Sequence, residues 1–239
     1  MKRALVIALL LVVAVPLLFA MAELPPHGSP TTPPYTHVSP YYLENGAEEG
    51  GAENIITTVI LNYRGFDTEG EVTVIFTAMA AVLAVLLMNK NDRAEVAEPS
   101  AEAIPVSVVV RFIVRVLAPF IAMFAIYVIL NGHITPGGGF QGGTILGALM
   151  IALTLVMTHE QADALLPIKP ERFLQAAAPI TFFLVGITGL ILFGDYLYYP
   201  RDESLRWLTT LMLVIVEIGI GVGGGSVLVR IFRAMGDDR

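Results

Sequence analysis

Long apolar runs separated by polar segments dominate this sequence and restrict it to membrane folds. Hydrophobic residues occupy 55% of the 239 positions and charged residues only 15%, far from the composition of a soluble domain. Because a bilayer requires internal pairing of every backbone polar group, such runs cross it as helices. We therefore predict an all-α polytopic membrane protein with six transmembrane helices. The predicted helices cover residues 4–22, 72–88, 108–130, 144–158, 173–193 and 207–229.

The first run has a second interpretation. Lys2 and Arg3 precede it, and residues 20–22 (AMA) end it, which is also the pattern of a cleavable secretory signal. The sequence supports the two interpretations about equally. We expect an uncleaved first helix.

Two segments separate the first helix from the second. Residues 23–51 are rich in proline and glutamate, which favours extended backbone over a long helix. We expect this segment to lie over neighbouring subunits, and a disordered acidic linker is the alternative. Residues 54–63 (NIITTVILNY) are apolar and β-branched but too few to span, so we predict an interfacial or re-entrant piece.

The most unusual segment is GHITPGGGFQGG, residues 132–143, which holds six of the 22 glycines. Glycine lets backbone groups come close to one another, but ordering it costs entropy, so packing must hold the segment in place. The flanking runs are uncharged, and we expect a re-entrant loop that dips to membrane depth. Non-helical backbone at that depth must be buried against protein or line a wet cavity.

Glycines recur four residues apart on the helices that follow. The pairs are Gly143 with Gly147, Gly219 with Gly223, and Gly221 with Gly225. Small residues at this spacing commonly let two membrane helices pack closely. This packing role is an alternative to any functional role for these glycines.

Glu217 is the clearest candidate for chemistry. It lies near the middle of the sixth run, at about mid-membrane. Carboxyl groups at that depth usually face a bundle interior or water and mark an ion or proton path. The alternative is a neutral glutamic acid that hydrogen-bonds between helices.

A second group of candidates flanks the start of the second helix and the glycine-rich loop. Carboxylates at a helix start also complement the helix dipole, so capping is an alternative to ion conduction there. A histidine beside the loop could relay protons, because its pKa lies near neutrality, or only hydrogen-bond within the loop. The further ion-path candidates are Arg64, Asp67, Glu69, Glu71, His133 and Thr135.

Several classes of site are excluded. The chain has no cysteine, which removes disulfides, thiolate nucleophiles and cysteine-ligated metal or iron–sulfur centres. The histidines lack metal-ligand spacing, and the glycine-rich loop lacks a phosphate-binding context. We expect no metal, no cofactor and no catalysis by this chain itself. A net charge of −7 without a basic run argues against nucleic acid as a partner.

The distribution of basic residues predicts orientation. With six spans and the N-terminus inside, the inner segments hold eleven Lys and Arg residues and the outer segments hold three. Cytoplasmic segments carry such an excess. We therefore expect a multi-pass protein of the cell membrane with both termini in the cytoplasm.

These motifs resemble known families. Residues 132–143 with their flanking helices resemble the MnhB/MrpB family, whose members belong to the multi-subunit Mrp-type sodium/proton antiporters, over roughly residues 107–233. Residues 54–71, with RGFDTEGE at their end, are similar to the C-terminal MrpA segment, which is a separate MbhE-like protein in archaeal membrane-bound hydrogenases. This second resemblance covers roughly residues 1–88.

The two resemblances together imply a fusion. The predicted parts are an MbhE-like segment at 1–88 with two helices, a linker at 89–107, and an MnhB-like domain at 108–239 with four helices. The family's acid falls on Glu71. The family's glycine-loop residues fall on His133, Thr135, Pro136, Gly137, Gly138, Gly139 and Phe140. Gly142 and Gly143 complete the predicted structural loop.

The resemblance implies a membrane subunit of the sodium-translocating module of a ferredoxin-linked respiratory complex, of the hydrogenase or sulfane sulfur reductase type. A role in a stand-alone antiporter and a purely structural role are the alternatives. The implied partners are other Mrp-type membrane subunits (of the MrpA, MrpC, MrpD, MrpE, MrpF and MrpG types), a hydrogenase-like iron–sulfur peripheral arm and membrane lipid.

Overall fold

The computed structural model describes residues 2–93, 106–157, 161 and 173–236, and these residues form helices and turns without strands. The all-α prediction is confirmed. The α-helices are α1 Lys2–Ala22, α2 Ser39–Glu49, α3 Ile55–Thr57, α4 Gly65–Arg93, α5 Val108–Leu130, α6 Gly139–Val156, α7 Ala177–Phe193 and α8 Arg206–Gly236. Two π-helical turns, Pro34–Val38 and Thr58–Tyr63, and a 3₁₀ turn, Glu203–Leu205, complete the described elements.

Each predicted transmembrane run corresponds to one of these helices. Among the described residues, α1, α4, α5, α6 and α8 contain stretches long and apolar enough to cross a bilayer. The remaining helix, α7, is equally apolar but has only 17 residues, just below the usual length for a span. The polytopic fold is therefore confirmed, with α7 as the short member of the set.

Two predicted helix starts and one predicted extended segment are wrong. Helix α4 begins at Gly65 rather than at residue 72, with Asp67 in its first turn, where a carboxylate complements the helix dipole. Helix α2 occupies part of the segment expected to be extended, because Pro40 falls near its start, where proline is tolerated. Helix α6 begins at Gly139 rather than at residue 144, so four predicted loop residues, Gly139, Phe140, Gly142 and Gly143, are helical.

The chain divides into two units, one ending at Glu44 and one beginning at Asn45. In the first unit, apolar side chains of α1 are exposed along the helix, as in Leu5 and Phe19. The second unit contains the helices from α3 onward and most of the buried core. Most of the predicted linker, residues 94–105, lies outside the described residues.

Backbone contact between α6 and α8 organises the second unit. A Cβ atom on Gly143 would lie 2.6 Å from the carbonyl oxygen of Gly221, and one on Gly147 would lie 3.0 Å from that of Gly225. Helices approach this closely only where side chains are absent. Two of the predicted small-residue pairs therefore face each other, and they set α6 directly against α8.

The third glycine pair packs α8 against α7. A Cβ atom on Gly223 would lie 2.8 Å from that of Ala178, and one on Gly219 would overlap the side chain of Thr181. Phe182 of α7 and Leu213 of α8 are fully buried in the adjoining core. Helix α8 is thus packed on two sides along the stretch that contains Glu217.

Candidate functional site

The turn between α5 and α6, residues 131–138, lies against Glu217 of α8. Glu217 is the twelfth residue of that helix, so at 1.5 Å per residue it lies roughly 16 Å along the axis from Arg206. A Cβ atom on Gly132 would overlap the Glu217 carboxyl group, and one on Gly138 would lie 3.3 Å from its Oε1. The turn therefore lies beside the apolar middle of α8, as a re-entrant element would.

Two glycines of this turn are required by backbone conformation. Gly137 has φ +143° and Gly138 has φ +132°, values that residues with a side chain rarely adopt. Together they let the chain reverse and start α6 within a few residues. The absence of side chains also leaves the space that the Glu217 carboxyl group occupies.

Glu217 is almost completely enclosed, with 2% of its surface exposed. Its Oε1 lies within hydrogen-bonding distance of the hydroxyl oxygen of Thr57, at 3.3 Å. Its Oε2 is buried without a hydrogen-bond partner among the described residues. A buried carboxyl group with so little compensation is expected to carry a proton or to pair with a group from outside the chain.

Asn54 and Thr57, about one turn apart, hold the α5–α6 turn in place. Asn54 Nδ2 donates to the carbonyl oxygen of Gly132 at 2.8 Å and to that of Thr135 at 2.9 Å. Thr57 Oγ1 donates to the same Gly132 oxygen at 2.7 Å. The backbone N–H of Asn54 also donates to the carbonyl oxygen of His133. We call Asn54 and Thr57 the clamp.

The clamp residues are themselves positioned by the start of α3. Asn54 is the N-cap residue, and its side-chain oxygen accepts a hydrogen bond from the N–H of Ile56 at 3.1 Å. Both clamp side chains are buried. The same asparagine therefore caps the helix with its oxygen and grips the turn with its nitrogen.

The two predicted polar residues of the turn have different surroundings. Thr135 closes the turn locally, since its hydroxyl and its N–H both donate to the carbonyl oxygen of Asn131. His133 is half-buried, and its Nδ1 is enclosed without a hydrogen-bond partner among the described residues. Thr135 thus serves the backbone, whereas His133 leaves one ring nitrogen available.

The predicted charged cluster at the start of α4 is divided in the structure. Arg64 and Asp67 form an exposed ion pair, with Nε to Oδ2 at 2.7 Å, and Glu71 is exposed. Glu69 instead accepts a hydrogen bond from the Tyr196 hydroxyl at 2.6 Å. None of these four side chains hydrogen-bonds to Glu217 within the described part of the chain.

The loop after α7 adds two tyrosines, Tyr196 and Tyr199, to the surroundings of Glu69. Tyr196 and Tyr199 line an open pocket of about 210 Å³ together with Asp195 and Arg201. Burial and the hydrogen bond to Glu69 raise the pKa of Tyr196 to about 12. Burial, with the Glu69 charge, also raises the pKa of Tyr199, whose enclosed hydroxyl has no partner among the described residues.

Two regions of the chain match known protein families. Residues 109–228 match the family described as a domain related to the MnhB subunit of Na⁺/H⁺ antiporters. The chain belongs to the MnhB family. Its residues 6–103 match a second family, MbhE, described as the E subunit of MBH, so this MnhB-family chain joins two regions.

Similar chains occur in two solved structures and in a relative from Rhizobium meliloti. A chain in the structure of the membrane-bound sulfane sulfur reductase, an archaeal respiratory membrane complex, is 32% identical with TM-score 0.68, and the match covers 98% of this chain and 97% of that one. The structure of the Mrp complex from Dietzia sp. contains a chain with the same fold, at TM-score 0.68 and 23% identity, over 99% of this chain and 26% of that one. A probable K⁺/H⁺ antiporter protein of Rhizobium meliloti, of the combined A/B type, is 25% identical over 74% of this chain, which spans only 19% of that relative.

The site of this MnhB-family chain combines predicted and unpredicted residues. The prediction singled out Glu217 and the turn with His133 and Thr135, and the structure brings these elements together. The prediction did not include the clamp residues, although it described residues 54–63 as an interfacial or re-entrant piece. The available signal was the spacing of polar residues: Asn54 and Thr57 are three residues apart, on one helical face of a largely apolar run. The clamp comes from the MbhE region, whereas the turn and Glu217 come from the MnhB region.

Proposed function

We propose that this chain is a membrane subunit of the Mrp-type ion-translocating module of a ferredoxin-linked respiratory complex. The observation that carries this proposal is the match to the sulfane sulfur reductase chain, which extends over nearly the full length of both proteins. That match spans both family regions of this chain. The proposed partners are the other Mrp-type membrane subunits and an iron–sulfur peripheral arm.

Within that module, Glu217 takes up and releases a proton as neighbouring subunits move. The support is geometric. Glu217 lies in the apolar middle of α8, its carboxyl group is enclosed, and one carboxyl oxygen has no partner among the described residues. A purely structural glutamic acid would be expected to have both oxygens satisfied, because an unsatisfied buried polar atom costs roughly 1–3 kcal/mol.

Replacement of Glu217 by glutamine tests this role. Glutamine keeps the size and the hydrogen bond with Thr57 but cannot exchange a proton. Glu203→Gln is the matched control, because Glu203 is exposed in the 3₁₀ turn that leads into α8. We expect Glu217→Gln to lower sodium-dependent proton transport in vesicles by a factor on the order of ten or more. The control is expected to retain wild-type transport.

Wild-type transport by the Glu217→Gln variant would contradict this role. If the Glu217→Gln complex assembles fully and transports ions like the wild type, Glu217 is a packing residue and the chain has a structural role. Assembly is checked by gel filtration of the purified complex before transport is measured.

A stand-alone antiporter is the second candidate at the level of the complex. It is favoured by the similarity of the MnhB region to the putative antiporter subunit mnhB2 of Staphylococcus haemolyticus, which is 28% identical and matched over 93% of its length. Purification of the native assembly distinguishes the two. Iron–sulfur absorbance in the purified complex supports the respiratory form, and its absence with intact antiporter subunits supports the stand-alone form.

A further inference from the structure

The hydroxyl group of Thr57 faces two acceptors with one hydrogen. Its oxygen lies 2.7 Å from the carbonyl oxygen of Gly132 and 3.3 Å from Oε1 of Glu217. A threonine hydroxyl can donate one hydrogen bond and accept two. It therefore cannot donate to both oxygens at the same time.

The distances show which acceptor receives the hydrogen. The 2.7 Å contact has the length of a good O–H···O hydrogen bond, so the hydroxyl hydrogen goes to Gly132. The remaining contact, from Thr57 Oγ1 to Glu217 Oε1 at 3.3 Å, is long for a hydrogen bond donated by the threonine, whose hydrogen is already used. A proton on the carboxyl group would supply the missing hydrogen. The arrangement is thus that of a protonated Glu217 donating to Thr57, which in turn donates to the α5–α6 turn.

Loss of the carboxyl proton changes this arrangement. An ionised Glu217 has no hydrogen to donate and is the stronger acceptor, since hydrogen bonds to charged groups are worth about twice those between neutral groups. The Thr57 hydroxyl then turns to Oε1, while the carboxyl proton passes to water. The Gly132 oxygen keeps only its bond from Asn54.

We propose that Thr57 is a positioning residue that couples the protonation of Glu217 to the hold of the clamp on the α5–α6 turn. The turn is held by three side-chain hydrogen bonds from the clamp when Glu217 is protonated and by two when it is ionised. This inference rests on the proposed role of Glu217 in proton exchange. It adds the residue and the backbone segment that respond to the proton.

The same contacts fit a proton better than a metal cation as the exchanged species. Sodium sites in membrane proteins use carbonyl oxygens freed by unwound helix ends. Here the carbonyl oxygens of Gly132 and Thr135 already accept hydrogen bonds from the clamp. A cation bound to the Gly132 oxygen would have to displace one of its two donors, whereas a proton fits the existing arrangement.

The other titratable groups on the surrounding elements define what a pH experiment must separate. The turn carries His133, α5 carries Tyr127 near its end, and α3 follows the exposed Glu53. Helices α6 and α7 have no titratable side chain in their described sequences. Helix α4 also packs on α8, and the acids in its first two turns are Asp67, Glu69 and Glu71.

Hydrogen–deuterium exchange of the turn in the purified complex provides the test. The readout is the protection of the amides of Ile134 and Thr135, corrected for the intrinsic pH dependence of exchange. Both amides donate to the carbonyl oxygen of Asn131, so they report on opening of the turn. The variants are Thr57→Val, which removes the hydroxyl, and Thr57→Ser, which keeps it.

The matched control is Thr58→Val. Thr58 is an adjacent buried threonine whose hydroxyl oxygen lies 3.4 Å from the carbonyl oxygen of Gly46 and 3.3 Å from that of Ala52, so its single hydrogen is shared between acceptors other than Glu217. In the wild type, Thr57→Ser and Thr58→Val, we expect protection to fall about threefold to tenfold between about pH 6 and pH 9, the equivalent of one hydrogen bond. In Thr57→Val and in Glu217→Gln, protection is expected to be independent of pH.

The proposal would be overturned by pH-independent protection in the wild type, by persistence of the pH dependence in Glu217→Gln, or by its persistence in Thr57→Val. The Glu217→Gln arm decides the matter even if Thr57→Val fails to assemble. The proposed function fails separately, on transport: wild-type transport by Glu217→Gln refutes the ion-path role whatever the turn does. A His133→Gln variant is expected to keep the wild-type pH response, and its loss there would assign the response to histidine instead.

Discussion

Substitution of Asn54 by alanine should loosen the site more than any other single truncation of a polar side chain on this segment. Asn54 contributes an N-cap to α3 and donates to two buried carbonyl oxygens, those of Gly132 and Thr135. The N-cap is worth about 1 kcal/mol. Each hydrogen bond is worth about another 1 kcal/mol, and Thr135 loses its only side-chain donor among the described residues. The expected loss is therefore about 3 kcal/mol.

The comparison variant is Asn62→Ala, in the π-helical turn that follows α3. Asn62 Nδ2 also donates to two carbonyl oxygens, but at 3.4 Å and 3.3 Å and in a partly exposed position. Long hydrogen bonds with access to water contribute little, so we expect a loss below about 1 kcal/mol.

Thermal unfolding of the purified complex measures the difference. A loss of about 3 kcal/mol corresponds to a decrease in Tm of roughly 6–12 °C for a chain of this size. Asn54→Ala should show that decrease, and Asn62→Ala should stay within about 3 °C of the wild type. Equal Tm values for the two variants would refute the view that Asn54 holds the turn.

Three further predictions concern helix packing, the tyrosine cluster and orientation. Gly143→Ala should prevent assembly or lower Tm, because its Cβ meets the backbone of α8, whereas Gly224→Ala, with nothing within 4 Å, should be neutral or slightly stabilising in the same thermal assay. The folded-state pKa of Tyr196 is raised to about 12 from a usual value near 10, so the stability that this tyrosine contributes is complete below about pH 10 and is lost as the pH rises toward 12. Between about pH 10 and pH 12, Tyr196→Phe should therefore lose less Tm than the wild type loses. In this cysteine-free chain, a membrane-impermeant maleimide should label Ser204→Cys from outside intact cells and should leave Ser107→Cys unlabelled, and the reverse pattern would refute cytoplasmic termini.

Local sequence patterns were sufficient for the helices and for their closest contact. The spans follow from apolar run length, and the spacing of Gly143 with Gly147 and of Gly221 with Gly225 predicted close packing that the structure shows between α6 and α8. Glu217 was identifiable because a carboxyl group in an apolar helix is rare. These signals lie within single segments and need no knowledge of which helices meet.

Helix boundaries required the partner helix. Gly139, Gly142 and Gly143 have low intrinsic helix propensity, so the sequence favoured a loop there. In the structure, these glycines are helical because each lies against the backbone or side chains of α5 or α8, and that packing outweighs propensity. Tertiary contact thus starts α6 at a glycine, well before the residues that favour a helix by themselves.

The clamp was beyond local patterns for a different reason. Asn54 bonds to a residue 78 positions later, and Thr57 bonds to one 160 positions later. Within residues 54–63 the polar side chains are interspersed with apolar β-branched ones, and no spacing rule connects them to Glu217. Only the three-dimensional arrangement shows that the two family regions supply one polar centre.

That shared centre has a consequence for recombination between relatives. A chimera that joins the first region of one homologue to the second region of another exchanges the asparagine and threonine independently of the backbone turn they grip. Such a chimera should assemble only where both parents have this polar pairing. The junction between the regions can therefore be divided, but regions from unrelated homologues cannot be combined freely. The two regions are therefore expected to be inherited as a matched set.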